Sequence, residues 1–500
     1  MNKHFRSVLI LTLTLFAFAV CNPNSSSFAQ SKAEKIDNLM QACYKNGQFN
    51  GAVLVAEHGK VIYDKSFGIA NIETKEKIKP NSQFRLGSVS KQFTSMAIMM
   101  LKERGKLNYD DDIRKFLPEL PYPGITIRHL LTHTSGLPDY MMLFDENWDQ
   151  DKEDASERKI ATNKDALNLF AKYHPEVLFK PGEQWEYSNT GYVMLALVIE
   201  RASGKEFDQF LNDNIFKPLR MSHTLVFSPL KDHKMERRVY GYQLELDGVT
   251  YSENDFNYLN GIAGDGGIYS TTKDLFKWDQ SLYTEKLVNK STLKEAFTPV
   301  KFNNDSTYKY GFGWRIDKTK GGKMKVSHTG GWVGFRTSID REIEHKNTII
   351  ILTNHSSIYR NEIRTAIANI LHNHEYILPK ISIAQVIGQT LMKSGVDSAI
   401  KKYHELKREY PDKYNFSERE LNNLGYQLIG MSRINEAIEI FKLNVKEYPD
   451  AYNTYDSLGE AYMLNGEKDL AIKNYAQSLV LNSKNVNAIK KLCKIIQDKE

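Results

Sequence analysis

Ser88 stands three residues before Lys91 in "FRLGSVSKQFTSMAIMMLKERGKL". A serine hydroxyl beside an amine is the minimum for nucleophilic catalysis, because the amine can take the proton that the attacking oxygen must lose. The spacing alone decides little, since Ser-x-x-Lys recurs at Ser156, Ser228, Ser270, Ser291, Ser306 and Ser398. The setting of Ser88 differs from theirs. Val89, Phe93, Met96, Ala97, Met100 and Leu101 mark one face of a helix that ends near Gly105. Ser88 therefore sits in the first turn of a predicted helix, among free backbone N–H groups at the positive end of the dipole, with Lys91 on the same face. A serine there also suits an N-cap, and the two roles are compatible. By contrast Ser228 precedes Pro229, and Ser156 lies in the acidic stretch "DENWDQDKEDASERK". Two further groups follow, Tyr187-Ser188-Asn189 after a Pro-Gly turn and His328-Thr329-Gly330 in "VSHTGGWVGF". Their first members lie 99 residues after Ser88 and a further 141 residues on.

The elements that must hold these groups come from both ends of one domain. "GAVLVAEHGKVIYDKSFGIAN" alternates around His58-Gly59 and predicts a β-hairpin from Gly51 to about Ile69. "YGFGWRI", "VSHTGGWVGFRTSIDR" and "NTIIILTN" predict further strands between Tyr310 and Asn354, with mostly helix and loop between the two sets. The fold class expected is α+β, an antiparallel sheet flanked by helices with a helical subdomain. Beyond about Glu375 glycine becomes scarce. Segments containing Leu424-Gly425, Ala437 and Phe441 align at a shift of 34 residues with Leu458-Gly459, Ala471 and Tyr475. This period and residue order resemble the tetratricopeptide repeat, which implies an all-α repeat domain able to dock a protein partner. Ser398 belongs to a fainter copy and serves packing.

The three polar groups, in that order, resemble the motifs of the serine β-lactamase and penicillin-recognising superfamily, in its class C β-lactamase and D-alanyl-D-alanine carboxypeptidase branch. The phrases "HLLTHTSGLPDY", "FKPGEQWEYSNTGY", "IFKPLRMSHT" and "AGDGGIYSTTKDL" carry the resemblance over roughly Asn50 to Asn354. It implies a β-lactamase/transpeptidase-like fold and an acyl-enzyme on Ser88, with Lys91 and Tyr187 sharing proton transfer and Asn189 binding the substrate amide. It further implies that His328, Thr329 and Gly330 line the opposite wall, and that the N–H groups of Ser88 and Gly331 form the oxyanion hole. Substrates implied are peptidoglycan-type D-Ala peptides, β-lactams, or small amides and esters; no cofactor is called for. Where many members carry Lys-Thr-Gly, this chain has His328. A free imidazole is mostly neutral at pH 7, which argues against efficient β-lactam hydrolysis and predicts stronger binding of a substrate carboxylate as pH falls toward ~6.

Composition bounds the rest. Five hundred residues, 41% apolar and 26% charged, describe a globular chain of two or three domains. The charge of +6 is spread along the chain, so no nucleic-acid footprint is read. Lys3 and Arg6 followed by an apolar stretch from Val8 to Val20 predict a signal peptide over residues 1–29, cleaved after Ala29, with lipid attachment at Cys21 the weaker alternative. The expectation is an exported protein, periplasmic or secreted, with no transmembrane helix once processed. The hydrolase domain is placed at residues 30–375 and the repeats at 383–500. No Gly-x-Ser-x-Gly occurs, which argues against an α/β-hydrolase. Cys43 and Cys493 lie too far apart in sequence to suggest a disulfide framework. His129 and His133 are read as scaffold, His372 and His374 as solvated, and no metal is expected.

Overall fold

A computed structural model of the chain describes residues 30–497 except 150, 151, 153, 155, 156, 233, 234, 249 and 357. The signal-peptide reading, Cys21 and Ser156 fall outside the described residues. His58 and Gly59 both have positive φ, 51° and 75°, the conformation a two-residue turn between antiparallel strands needs. They join β1 (Gly51–Glu57) to β2 (Lys60–Phe67). The late strands are β3 (Arg315–Lys318), β4 (Met324–Trp332), β5 (Phe335–Glu342) and β6 (Asn347–Thr353). Together they form one sheet in the order β3-β4-β5-β6-β1-β2, antiparallel throughout. The early hairpin joins the late strands through β1 on β6, where Gly51 pairs with Thr353.

Five helices matter for the sheet and site: α1 (Lys32–Lys45), α2 (Lys91–Glu103), α3 (Asn189–Ser203), α4 (Thr272–Ser281) and α5 (Arg360–Leu371). Strand alternation sends Val53, Val55, Ile349 and Ile351 to one side, against Ile36 and Leu39 of α1 and Ile363 and Ile367 of α5. Ala52, Leu54, Ala56, Ile350 and Leu352 point the other way, into the larger core that holds α2, α3 and α4. The sequence pattern gives α2 a single apolar face, yet the helix is buried on every side from Lys91 to Leu101. Its polar residues tolerate this because each has at least one partner, although Gln92 Nε2 is buried without one. Thr94 Oγ1 donates to the Gly264 carbonyl (2.6 Å), Ser95 pairs with the Tyr192 hydroxyl (3.1 Å), and Gln92 Oε1 accepts from Trp278 Nε1 (2.9 Å).

The C-terminal region is helical: α6 (Ile383–Ser394), α7 (Val396–Glu409), α8 (Glu418–Gly430), α9 (Ile434–Glu447), α10 (Tyr452–Leu464), α11 (Lys468–Leu481) and α12 (Val486–Gln497). α8 and α10 begin 34 residues apart, as do α9 and α11. Gly425 and Gly459 hold the same place in successive pairs. A Cβ there would come within 2.4 Å of the Phe441 ring or 3.1 Å of the Tyr475 ring, so the glycines admit the aromatic of the following helix. These helices have their own core, which also receives Leu246 from the loop between the short strands Tyr242–Leu244 and Tyr251–Glu253. Two hydrogen bonds bind the regions further, Gln48 Nε2 to the Pro379 carbonyl (3.0 Å) and Ser382 N–H to the Tyr359 hydroxyl (2.7 Å). No helix among the described residues is long and apolar enough to cross a membrane.

One buried ion pair fastens α4 to the sheet. Arg341 of β5 and Asp279 of α4 are both fully buried, and Arg341 Nε donates to Asp279 Oδ1. Arg341 Nη2 reaches the Asp279 carbonyl (3.1 Å), and Thr348 Oγ1 donates to Oδ2 (2.9 Å). Removing one member strands a buried charge, which costs about 3–5 kcal/mol. Asp279→Ala is expected to lose that much in urea unfolding. A loss below about 1 kcal/mol would mean that Arg341 finds another partner.

Candidate active site

Ser88 lies inside a 3-10 turn, Gly87–Ser90, that runs directly into α2, so it precedes the α-helix proper and does not cap it. Gly87 has φ 55°, and a Cβ on it would approach the Gly331 nitrogen to 2.7 Å. Gly330 is constrained as tightly: its Cβ would stand 1.9 Å from the Leu86 carbonyl oxygen. The glycines of β4 therefore let the segment carrying Ser88 lie against the strand, and this brings the backbone of Ser88 and Gly331 to one place. Both line a small cavity of about 100 Å³ with Arg85, Tyr140, Asp265 and Trp332.

Lys91 is fully buried. Its Nζ donates to Ser88 Oγ (3.1 Å), Asn189 Oδ1 (2.8 Å) and the Asp265 carbonyl (2.9 Å). An ammonium has three protons, and each has an acceptor here. The amine also lies 4.9 Å from the centre of the Tyr187 ring and 5.4 Å from that of Tyr192. Asn189 begins α3. Its Nδ2 donates to Asp139 Oδ2 (2.9 Å), so its side chain is held at both ends by the protein. The expected contact of Asn189 with a substrate amide thus competes with Asp139.

His328 departs from the sequence expectation. It is 2% exposed, with Nδ1 at 2.7 Å from the Thr329 carbonyl and Nε2 at 3.0 Å from the Tyr310 hydroxyl. Tyr310 in turn lies 3.1 Å from His133 Nε2, and His133 Nδ1 accepts from the Ser188 N–H (3.2 Å). Proton positions follow from the two fixed ends. The Thr329 carbonyl must accept, so His328 Nδ1 carries hydrogen and Nε2 accepts from the Tyr310 O–H. The Ser188 N–H must donate, so His133 Nε2 carries hydrogen and donates to the Tyr310 oxygen. Both rings are neutral in this arrangement. Burial, reinforced by the nearby Lys91 charge, pushes His328 down to about 3 and His133 well below its ordinary value. His328 thus has no free ring nitrogen for a carboxylate and no titration near pH 6, in contrast to the sequence expectation. Its ring faces Tyr187, with centres 6.3 Å apart, and Tyr187 packs on His133 at 4.3 Å.

Thr329 opens onto a second cleft of about 680 Å³ that it shares with Tyr308, Arg315, Ser327 and Arg360. Arg315 is exposed there, 5.9 Å from the Trp185 ring. Seven of the eight residues singled out from the sequence therefore meet around Ser88 and β4, whereas the Thr329 side chain faces the second cleft. Sequence reasoning missed Asp139, Asp265, Tyr310 and Arg315 as parts of the site. Each except Arg315's side of the cleft was within reach of a phrase already noted, and Arg315 itself ends "YGFGWR", but nothing in their spacing reveals whom they bond. His129 Nδ1 accepts from Thr126 N–H (3.1 Å) in a capping box, so neither it nor His133 is set for a metal.

A family model described as Beta-lactamase matches residues 36–372. The chain belongs to the beta-lactamase family. It is 41% identical over 361 residues to penicillin-binding protein 4* of Bacillus subtilis (strain 168), a match covering 70% of this chain and 78% of that one. It is 28% identical over 335 residues to protein flp of Staphylococcus aureus (strain MW2), covering 65% of this chain and 64% of flp, just under two thirds of that relative. Among solved structures, the octameric penicillin-binding protein homologue from Pyrococcus abyssi superposes with a TM-score of 0.60 at 27% identity, covering 71% of this chain and 80% of that one. The chain is a serine hydrolase of the penicillin-binding and beta-lactamase type, and its helical C-terminal region lies beyond the family match.

The buried histidines couple stability to pH. An unfolded histidine binds a proton below about 6.5, whereas folded His328 does so only below about 3. Between those values the unfolded state holds the extra proton, so stability is complete above ~6.5 and declines as pH falls, by up to ~1.4 kcal/mol per pH unit for each such group. His328→Gln is expected to unfold in urea with a shallower loss between pH 7 and pH 5 than wild type. Equal slopes would show that folded His328 takes up a proton in that range.

Proposed function

We propose that the protein is an exported hydrolase that acylates Ser88, with β-lactams or D-Ala-ended peptides as amide substrates. The 3.1 Å hydrogen bond from buried Lys91 to Ser88 Oγ carries the reading. Ser88 Oγ attacks the substrate carbonyl carbon while its proton passes to Tyr187 as the phenolate or to Lys91 as the neutral amine, since the ammonium form with three donated protons has no lone pair to accept it. The carbonyl oxygen gains negative charge against the N–H groups of Ser88 and Gly331. The C–N bond breaks, the departing amine takes the proton, and water later cleaves the acyl ester with the same groups. Asn189 and Thr329 flank the substrate. A substrate carboxylate finds its positive charge at Arg315, in the cleft that Thr329 shares, rather than at His328. A neutral wall at His328 favours a second reading, hydrolysis of small esters, on the same machinery. Intact Ser88, Lys91 and Tyr187 oppose a receptor that binds penicillin without turnover. Export rests on residues 1–29 as a signal peptide. The helical region, with its 34-residue offset, is read as a tetratricopeptide-like module for a protein partner.

Labelling with a fluorescent penicillin and a fluorophosphonate, followed by intact mass, tests the chemistry. Ser88→Ala is expected to lose both labels and Ser228→Ala to keep them; full labelling of Ser88→Ala would sink the mechanism. Arg315→Ala should lower kcat/KM for carboxylate-bearing substrates about tenfold, ~1.4 kcal/mol, and leave p-nitrophenyl esters unchanged. Equal losses on both would remove the carboxylate reading and leave the ester reading ahead.

Truncation after Tyr376 tests the module. It should retain ester hydrolysis with a lower Tm, since Leu246 loses the apolar residues it packs on and the Tyr359 hydroxyl loses the Ser382 N–H. Loss of activity on small esters in a folded truncated protein would make the helices part of the catalytic unit.

A further inference from the structure

At the end of β5 remote from Ser88, three side chains converge that the hydrolase chemistry does not use. Glu342 is nearly buried at the close of the strand, His345 follows it in the turn to β6, and His372 stands just past the end of α5. His372 is not the solvated residue expected from sequence: its Nε2 lies 2.8 Å from Glu342 Oε1. His345 Nδ1 lies 3.4 Å from the other oxygen, Oε2, and the three candidate ligand atoms all fall within 4.8 Å of one another. We propose that Glu342, His345 and His372 form a binding site for a zinc-class transition-metal ion that ties the end of α5 to the sheet.

The donor set points to this class of ion. Two imidazoles and one carboxylate suit Zn²⁺, with Cu²⁺, Ni²⁺ and Co²⁺ as competitors, whereas Mg²⁺ and Ca²⁺ prefer oxygen alone. Ligand bonds of about 2.0–2.2 Å put the corners of a tetrahedron roughly 3.4 Å apart. Of the two separations to the carboxylate, one equals that value at 3.4 Å and the other is shorter at 2.8 Å. The third separation is at most 4.8 Å, and closing it calls for rotation of His345 and His372, whose side chains are 35% and 27% exposed. A simple ion pair would need one imidazole. Here two, from separate elements, aim at one carboxylate.

The surroundings support an ion at this point. Asn347 Nδ2 donates to Glu342 Oε2 (2.9 Å), the kind of outer contact that orients a ligating carboxylate. Lys325 and Arg364, the nearest cations toward the core, pair with Asp340 at 2.9 and 3.5 Å and leave Glu342 to the imidazoles. Lys318 and Lys320 at the rim of the same cleft are exposed and screened by solvent. His374, stacked on His372 with ring centres 5.9 Å apart, lines the cleft and can supply a fourth ligand in place of water. Along β4 and β5 the register runs from Lys325 opposite Glu342 to Gly331 opposite Arg336. Those six residues of β4 put the cluster about 20 Å from Gly331. An ion here acts on the fold at the place where the chain leaves α5 for the helical region, and not on the acyl transfer.

The test uses the full chain carrying Cys493→Ser, so that the exposed thiol takes up no metal. After removal of metal by a chelator, Zn²⁺ is titrated by calorimetry and the Tm is read with and without it. One ion per chain at micromolar affinity or tighter is expected, with a Tm raised by several degrees, as binding to the folded state alone requires. His345→Ala removes a ligand but keeps the Glu342–His372 pair. It should fold like the metal-free parent, bind Zn²⁺ at least tenfold more weakly and lose the Tm gain. Glu342→Gln should do the same, and ester hydrolysis should be equal with and without Zn²⁺ in all three proteins. Affinity weaker than about 100 µM in the parent, or unchanged affinity in His345→Ala, would overturn the proposal.

Discussion

A buried ammonium needs an acceptor for every proton, because an unmet charge away from water costs several kcal/mol. Lys91 meets this demand with three acceptors from three distant parts of the chain, the turn before α2, the first residue of α3 and the Asp265 loop before α4. Much of the architecture serves to keep those parts in place. Asp139 holds the far end of Asn189, and Ser90 and Thr94 of the α2 segment fix the loop around Gly264 and Ile268. Trp278 then binds α4 back to α2 through Gln92. Ser88 is one acceptor in this set, so the hydrogen bond on which the proposed acylation rests belongs to the same geometry that makes burial of Lys91 tolerable.

The opposite wall is built on a different principle. Ser188, His133, Tyr310, His328 and Thr329 form a chain of neutral donors and acceptors that joins the α3 motif to β4. Each of the three inner members has a partner on both sides, so no charge is needed to keep the two walls at a set spacing. Such fully satisfied buried networks give rigidity and a single arrangement. Tyr187 packs on this wall and over Lys91 at once, which puts its ring between the charged and the neutral halves of the site.

Much of this was legible in the sequence, for reasons of period and turn chemistry. The hairpin around His58-Gly59, the late strands and the 34-residue offset all follow from local patterns that a reader can count. That Ser88, Lys91, Tyr187 and β4 come together was legible through motif order. The partners of those residues were not. Asp139 with Asn189, Tyr310 with His328, and Asp279 with Arg341 are single contacts between segments far apart in the chain, and no periodicity records them. His328 was misread because its type suggests a titrating group, while its behaviour is set by burial and by Tyr310. The all-round burial of α2 escaped the pattern for a related reason: Gln92, Thr94 and Ser95 look like a solvent face until their acceptors are known.

The place of β1 beside β6 has a kinetic consequence. The first strand of the sheet is paired on both edges, and the strand that completes its pairing is made about three hundred residues later in synthesis. Gly330, against which the Ser88 segment rests, also belongs to that late group. The early hairpin and α2 therefore emerge with their apolar faces uncovered and must wait for the closing strands, a topology whose long-range contacts slow folding. Partial chains hold Ser88 without the strand that completes its surroundings, and those surroundings close only when β4, β5 and β6 add to the hairpin.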